Sequence, residues 1–97
     1  MRHFYRSHRA PAEVLATGDV FFPNLGLAQT ATAPRTRIFS GALGTCKLTV
    51  KAEGGHYTFV EVETDQIGES RMDRNVKRFF VELHRIEDPR HALEASY

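Results

Sequence analysis

Residues 67–86 restrict the fold more than any other segment, because their apolar side chains recur at steps of three and four. At 3.6 residues per turn, this spacing places those side chains on one side of an α-helix. The stripe consists of Met72, Val76, Phe79, Phe80, Leu83 and Ile86. Charged residues occupy the opposite side. Such a helix cannot bury its stripe alone, so the rest of the chain must supply a surface, which we predict to be a β-sheet.

Composition limits the protein to one domain of ordinary globular type. The chain has 97 residues, of which 41% are hydrophobic and 26% charged, so residues 1–97 form a single domain with a modest core. With 13 basic and 12 acidic residues the net charge is +1, which gives no electrostatic argument for a nucleic-acid partner. The single cysteine, Cys46, excludes an internal disulfide and suits a cytoplasmic location. No apolar run predicts a signal peptide or a membrane span.

The first forty residues predict short elements. Residues 3–9 have the aromatic and polar alternation of a strand, and residues 11–17 form a short helix that Gly18 ends. Residues 19–28 are a second helical turn or a packed loop, because a proline and a glycine prevent a longer element. Residues 35–40 form the next strand.

Two further strands, residues 45–53 and 56–65, flank the glycine pair at 54–55. A two-residue loop would pair Leu48 with Glu61 and mix carboxylates with apolar side chains. A three-residue loop shifts the pairing by one and separates the two kinds of side chain. We therefore predict an odd-length loop with a glycine at positive φ.

The same choice decides the role of Glu61 and Glu63, the one carboxylate pair on a strand. In the favoured register they face outward, opposite lysines such as Lys47, where they serve solubility and register. In the other register they would be buried with raised pKa values, which is the condition for acid–base catalysis.

The predicted fold class is α+β. The prediction is an antiparallel sheet of about four strands with one or two short N-terminal helices after the first strand. A long amphipathic C-terminal helix packs across one face of the sheet. Residues 88–97 are expected to be a frayed tail.

This order resembles the helix-grip proteins, the Bet v 1-like superfamily that includes START and polyketide-cyclase types. The resemblance rests on APAEVLATG after the first strand and on GTCKLTVKAEGGHYTFVEVETD before the final helix. It implies an apolar cavity between sheet and helix that takes a hydrophobic small molecule. The residues implied to line it are Met72, Val76, Phe79, Phe80 and Leu83 on the helix, Val50, Val60 and Val62 at its floor, and Phe21 and Phe22 near its mouth, with His84 at its edge. The alternative is that these residues fill a solid core.

No metal, cofactor or catalytic group is predicted. The five histidines form no HxH, HExxH or Cys/His cluster. Cys46 is a candidate nucleophile only if it is exposed beside a base, and on an inward strand face it is a small hydrophobe. No phosphate-binding loop or nucleophile elbow is present.

Tyr57 and Phe59 are expected on the outer side of the sheet, beside Lys47 and Lys51. Aromatic residues among lysines can stack nucleic-acid bases, but carboxylates interrupt this surface. Exposed aromatic residues also mark contacts between subunits, so we rank a homodimer above a nucleic-acid complex. The sequence thus favours a non-enzymatic protein that binds an apolar small molecule, with an interaction or dimerisation module as the alternative.

Overall fold

The computed structural model describes residues 1–87 as a two-layer α+β domain, with two helices on one face of a five-stranded antiparallel sheet. The expected tail, residues 88–97, lies outside the described residues. The strands are β1 (Arg2–Ser7), β2 (Ala28–Ala33), β3 (Thr36–Gly41), β4 (Gly44–Glu53) and β5 (Tyr57–Thr64). The helices are α1 (Pro11–Phe21), α2 (Arg71–Glu87) and a short 3₁₀ turn (Pro23–Leu25).

The sheet has the order β1-β5-β4-β3-β2, so the first strand lies beside the last and the three between follow as a meander. The α+β class and the antiparallel sheet are confirmed, but the prediction of about four strands is wrong. The missed strand is β2, whose residues are all exposed and lack apolar alternation. β2 is held by its backbone pairing to β3, and its side chains show no pattern from which a strand could be predicted.

The β4–β5 hairpin has the predicted odd-length loop. Glu53 pairs with Tyr57, which leaves three loop residues, and both loop glycines have positive φ, 57° at Gly54 and 73° at Gly55. Leu48 accordingly lies opposite Val62 rather than opposite a glutamate. One face of these strands is therefore apolar; we call it the inner face, and the opposite side the outer face.

Helix α1 is longer than predicted, because Gly18 lies within it instead of ending it. A β-carbon on Gly18 would come within 2.6 Å of Leu48 Cδ2 on the inner face. The glycine therefore serves close packing of α1 on the sheet, and α1 continues to Phe21.

Helix α2 has 17 residues and begins at Arg71, four positions after the start of the predicted segment. Ser70 determines this start: its Oγ accepts a hydrogen bond from the Asp73 amide at 3.0 Å and donates one to Asp73 Oδ2 at 2.7 Å. This is a capping-box arrangement, in which the N-cap and third-residue side chains satisfy free groups of the first turn.

The core lies between the helices and the inner face. Its fully or almost fully buried side chains are Val14, Leu15, Phe22, Leu27, Phe39, Cys46, Leu48, Val50, Val60, Val62, Met72, Val76, Phe79 and Leu83. Within residues 1–87, no helix is both long enough and apolar enough to cross a bilayer.

Candidate functional site

The interior predicted from the helix stripe brings together most of the proposed ligand-binding residues. On α2, Met72, Val76, Phe79 and Leu83 are fully buried, and they face Val50, Val60 and Val62 of the inner face. Phe80 is half-buried, with its ring stacked on that of Tyr5 at 5.4 Å. These contacts join α2 to β1, β4 and β5 in one apolar layer.

A cluster of phenylalanine rings occupies the space between α1, α2 and the sheet. Phe22 is fully buried at its centre, with its ring centroid 5.0 Å from those of Phe39 and Phe79. Phe21 lies at the edge, 5.4 Å from Phe79. Phe21 and Phe22 were both expected near a cavity mouth. Phe22 instead lies in the core, whereas Phe21 is partly buried at the edge of the phenylalanine cluster.

An open depression of about 180 Å³ lies outside this cluster, between α1 and α2. Thr17, Val20, Phe21, Asn24 and Glu82 line it. Of the predicted ligand-binding residues, Phe21 lines this depression, and a second depression of about 240 Å³ is lined by Arg35, Val50, Lys51 and Ala52. His84 is exposed on α2 and lines neither depression.

The outer face carries the predicted interface residues and is covered by neither helix. Phe4 and Phe59 stack there with ring centroids 5.5 Å apart, and the Arg6 guanidinium lies 5.4 Å from the Phe59 centroid. Phe4 is 54% exposed and Tyr57 44% exposed. Sequence reasoning placed Tyr57 and Phe59 here but missed Phe4, which the pairing of β1 with β5 adds.

Glu61 and Glu63 also belong to the outer face. They lie opposite Thr49 and Lys47, and Glu63 forms an ion pair with Arg2 at 3.2 Å. The register therefore places both carboxylates on the outer face, and the buried arrangement of Glu61 and Glu63 considered above does not occur.

Cys46 is fully buried on the inner face. Burial, followed by the negative charge of Asp65, raises the pKa of its thiol to about 12, although a backbone hydrogen bond from Phe39 acts in the opposite direction. A thiol in this state is not a nucleophile at neutral pH.

A buried polar cluster at the start of α2 was not anticipated. Asp73 is fully buried, and its Oδ1 lies 2.8 Å from both His3 Nε2 and Thr64 Oγ1. Burial raises the pKa of this carboxyl, but hydrogen bonds from His3, Ser70 and Thr64 outweigh it and lower the pKa to about 2. Ser70 and Asp73 match the capping-box spacing, so half of this cluster had a sequence signal. The other half depends on the tertiary contact with β1.

In the part of the chain that the structure describes, no three His, Cys, Asp or Glu side chains are grouped as metal ligands would be. Residues 1–87 form a small two-layer α+β domain in which neither helix covers the outer face of the sheet. No protein-family model matches the chain, and no curated protein matches it.

Proposed function

We propose that this protein is a non-enzymatic interaction module that forms a homodimer through the aromatic part of its outer face. The observation that carries the proposal is the stacked pair of Phe4 and Phe59 on a sheet face that neither helix covers. Phe4 and Tyr57 are each about half exposed to solvent. Large aromatic side chains exposed side by side on one face are typical of a protein–protein contact surface.

The charges around the aromatic residues fit a second copy of the same surface. Arg2 pairs with Glu63 and Arg6 with Glu53, both at 3.2 Å, so basic and acidic groups alternate on this face. In a dimer with a twofold axis, both subunits would present this same face. Arginines of one subunit could then lie opposite glutamates of the other. A phosphate backbone would instead require a basic surface, which these glutamates interrupt.

Sedimentation velocity over a range of concentrations tests this proposal. The wild-type chain is expected to reach twice the mass of one chain, while Tyr57→Ala and Phe4→Ser remain at the mass of one chain. Val81→Ser is the matched control, because Val81 is 66% exposed but lies on α2, away from the outer face. A wild-type chain that stays monomeric at all concentrations, or a dimer that Phe4→Ser does not weaken, would contradict the proposal.

Binding of an apolar small molecule between helix and sheet is the second candidate. The depression between α1 and α2 favours it, since Phe21 lines this opening and contacts Phe79 behind it. The order of a first strand, short helices, an antiparallel meander and a final helix is also consistent with the helix-grip resemblance. A ligand would enter by displacing rings of the cluster, so specificity would depend on the side chains at the opening.

The buried thiol of Cys46 is compatible with a reducing cytoplasm, where we place the protein.

A further inference from the structure

The solvent side of α2 carries a row of arginines. Arg71, Arg74 and Arg78 are exposed and follow one another at steps of three and four, so their side chains lie along one line of the helix. Neighbours at this spacing have Cβ atoms about 5–6 Å apart, and the row is about 10 Å long. Val81, which is 66% exposed, continues the same line one turn later. We call the three arginines and Val81 the arginine line.

The acidic residues of this region are turned inward or already paired. Asp73 is fully buried. Glu82 binds Arg85 at 2.7 Å. Glu69 binds Lys77 at 2.6 Å, which, with a smaller contribution from the field of Arg74, lowers the pKa of Glu69. Among the side chains that the structure describes, no carboxylate forms an ion pair with an arginine of the line. Their three charges are therefore available to another molecule.

The stability of α2 does not account for these arginines. Arg71 begins the helix and Arg74 follows about one turn later, near the positive end of the helix dipole, where a cation is unfavourable. Arg74 and Arg78 are four positions apart, and like charges at this spacing repel each other. Arg78 Nη1 donates to a neutral group, Asn75 Oδ1, at 3.3 Å. The arginine line therefore suits contact with a negatively charged partner, which would relieve this repulsion.

Two observations favour a polypeptide over a phosphate backbone as that partner. Val81 offers an apolar contact in line with the arginines, which an apolar side chain can cover and a phosphate cannot. The whole chain has a net charge of only +1, whereas a nucleic-acid protein usually presents a clear basic excess. An α-helix with carboxylates at steps of three and four has the same pitch as the arginine line, so several of its carboxylates can reach arginines at once.

We propose that the arginine line binds an acidic helical segment of another protein. Carboxylates of that segment would accept hydrogen bonds from the guanidinium groups of Arg71, Arg74 and Arg78, and an apolar side chain would pack on Val81. The arginine line lies on the helix side of the sheet, so it stays accessible when the outer face is covered in the proposed dimer. This role does not depend on dimer formation.

Fluorescence anisotropy at pH 7 tests the proposal with a fluorescein-labelled helical peptide of glutamate, alanine and leucine. Its glutamates recur at steps of three and four, and a leucine follows one turn after the last of them. The wild-type protein is expected to bind this peptide saturably, and binding should weaken as the KCl concentration rises. The same peptide with glutamine in place of each glutamate should not bind. Oligothymidylate and duplex DNA should bind less tightly than the acidic peptide.

Arg74→Gln and Arg78→Gln should each weaken binding of the acidic peptide about two- to fivefold, as expected when one exposed ion pair is lost. The Arg71→Gln/Arg74→Gln/Arg78→Gln triple variant should weaken it about tenfold or more. Arg35→Gln is the matched control, because it removes the same charge from an exposed position between β2 and β3 and should bind like wild type.

Two further variants separate this proposal from the dimer. Phe4→Ser, which should lose the dimer, is expected to bind the peptide like wild type, whereas Val81→Ser should weaken peptide binding and keep the dimer. The proposal is overturned if the acidic peptide does not bind saturably, if its glutamine version or oligothymidylate binds as tightly, if Arg35→Gln weakens binding as much as Arg74→Gln, or if the triple variant binds like wild type while retaining its native circular dichroism.

Discussion

His3 Nε2 on β1 lies 2.8 Å from Asp73 Oδ1 in the first turn of α2, which joins two elements 70 residues apart. Thr64 and Ser70 donate to the same carboxylate, and the Asp73 side chain is only 1% exposed. Hydrogen bonds to a buried charge are among the stronger polar contacts in proteins. This cluster therefore fixes the start of α2 against the edge of the sheet.

Asp73→Asn should destabilise the protein most at neutral pH. The carboxyl has a folded pKa of about 2 against an ordinary value of 3.8. A lowered pKa means that the ionised form stabilises the fold, fully above pH 4 and progressively less as the pH falls towards 2. At about 1.4 kcal/mol per pH unit, the expected loss in the free energy of unfolding is about 2 kcal/mol at pH 7.

Urea unfolding of both proteins at pH 7, 4 and 2.5 measures this difference. It should be similar at pH 7 and 4 and smaller at pH 2.5. Glu61→Gln, which removes a carboxylate from the outer face, is the control and should change stability little. A deficit for Asp73→Asn that is independent of pH would show that the charge of Asp73 does not stabilise the fold.

Gly18→Ala should destabilise the protein although alanine favours helix. The helix preference would contribute about 1 kcal/mol, whereas overpacking a core contact usually costs about 1–3 kcal/mol. The new β-carbon would lie 2.6 Å from Leu48 Cδ2, and Leu48 is itself fully buried. The cost of this clash is therefore expected to exceed the gain in helix preference.

A double-mutant cycle with Leu48→Val checks the cause by thermal or urea unfolding. Valine lacks the δ-carbons, so Gly18→Ala should cost less in that background than in wild type. Equal costs in both backgrounds would mean that Leu48 is not the obstacle.

Cys46 should not react in the folded protein. Its thiol is buried and its pKa is raised to about 12, so thiolate is scarce at pH 8 and reagents cannot reach it. Iodoacetamide labelling followed by mass spectrometry should show no adduct in buffer and one adduct in 6 M guanidinium, the usual denaturing condition. Ala42→Cys places a thiol in an exposed turn and should label at once, which verifies the reagent.

Phe79→Ala separates the two interpretations of the interior. In a solid core it should lower the free energy of unfolding by about 3–5 kcal/mol. If an apolar ligand occupies the space, the same change should also abolish uptake of an apolar fluorescent probe by the folded wild-type protein. Val81→Ala, an exposed change on the same helix, should affect neither quantity. A stability loss without any probe binding to wild type would reject the small-molecule candidate.

The hairpin shows how far sequence alone could reach. The alternation of Leu48, Val60 and Val62 with charged residues allowed only one register that separates the two, and the structure has that register. The stripe of α2 was equally readable, since Met72, Val76, Phe79 and Leu83 are all buried. In both cases the signal is the local period of apolar side chains, which burial imposes directly.

Other features had a sequence signal whose meaning depended on position. Gly18 reads as a helix end, but it lies inside α1 because the inner face approaches so closely there. Ser70 and Asp73 have the spacing of a helix cap, but only the structure shows that Asp73 is buried and that His3 of β1 contacts it.

What the amino-acid order determined by itself was the period of each element, and hence the α+β class, the hairpin register and the apolar side of α2. What only the tertiary structure decided was which distant groups meet: β2 at the far edge, Phe4 beside Phe59, and His3 beside Asp73. The physical reason is that periodicity is a local property of the chain, whereas these contacts arise from backbone pairing and packing between segments far apart in sequence.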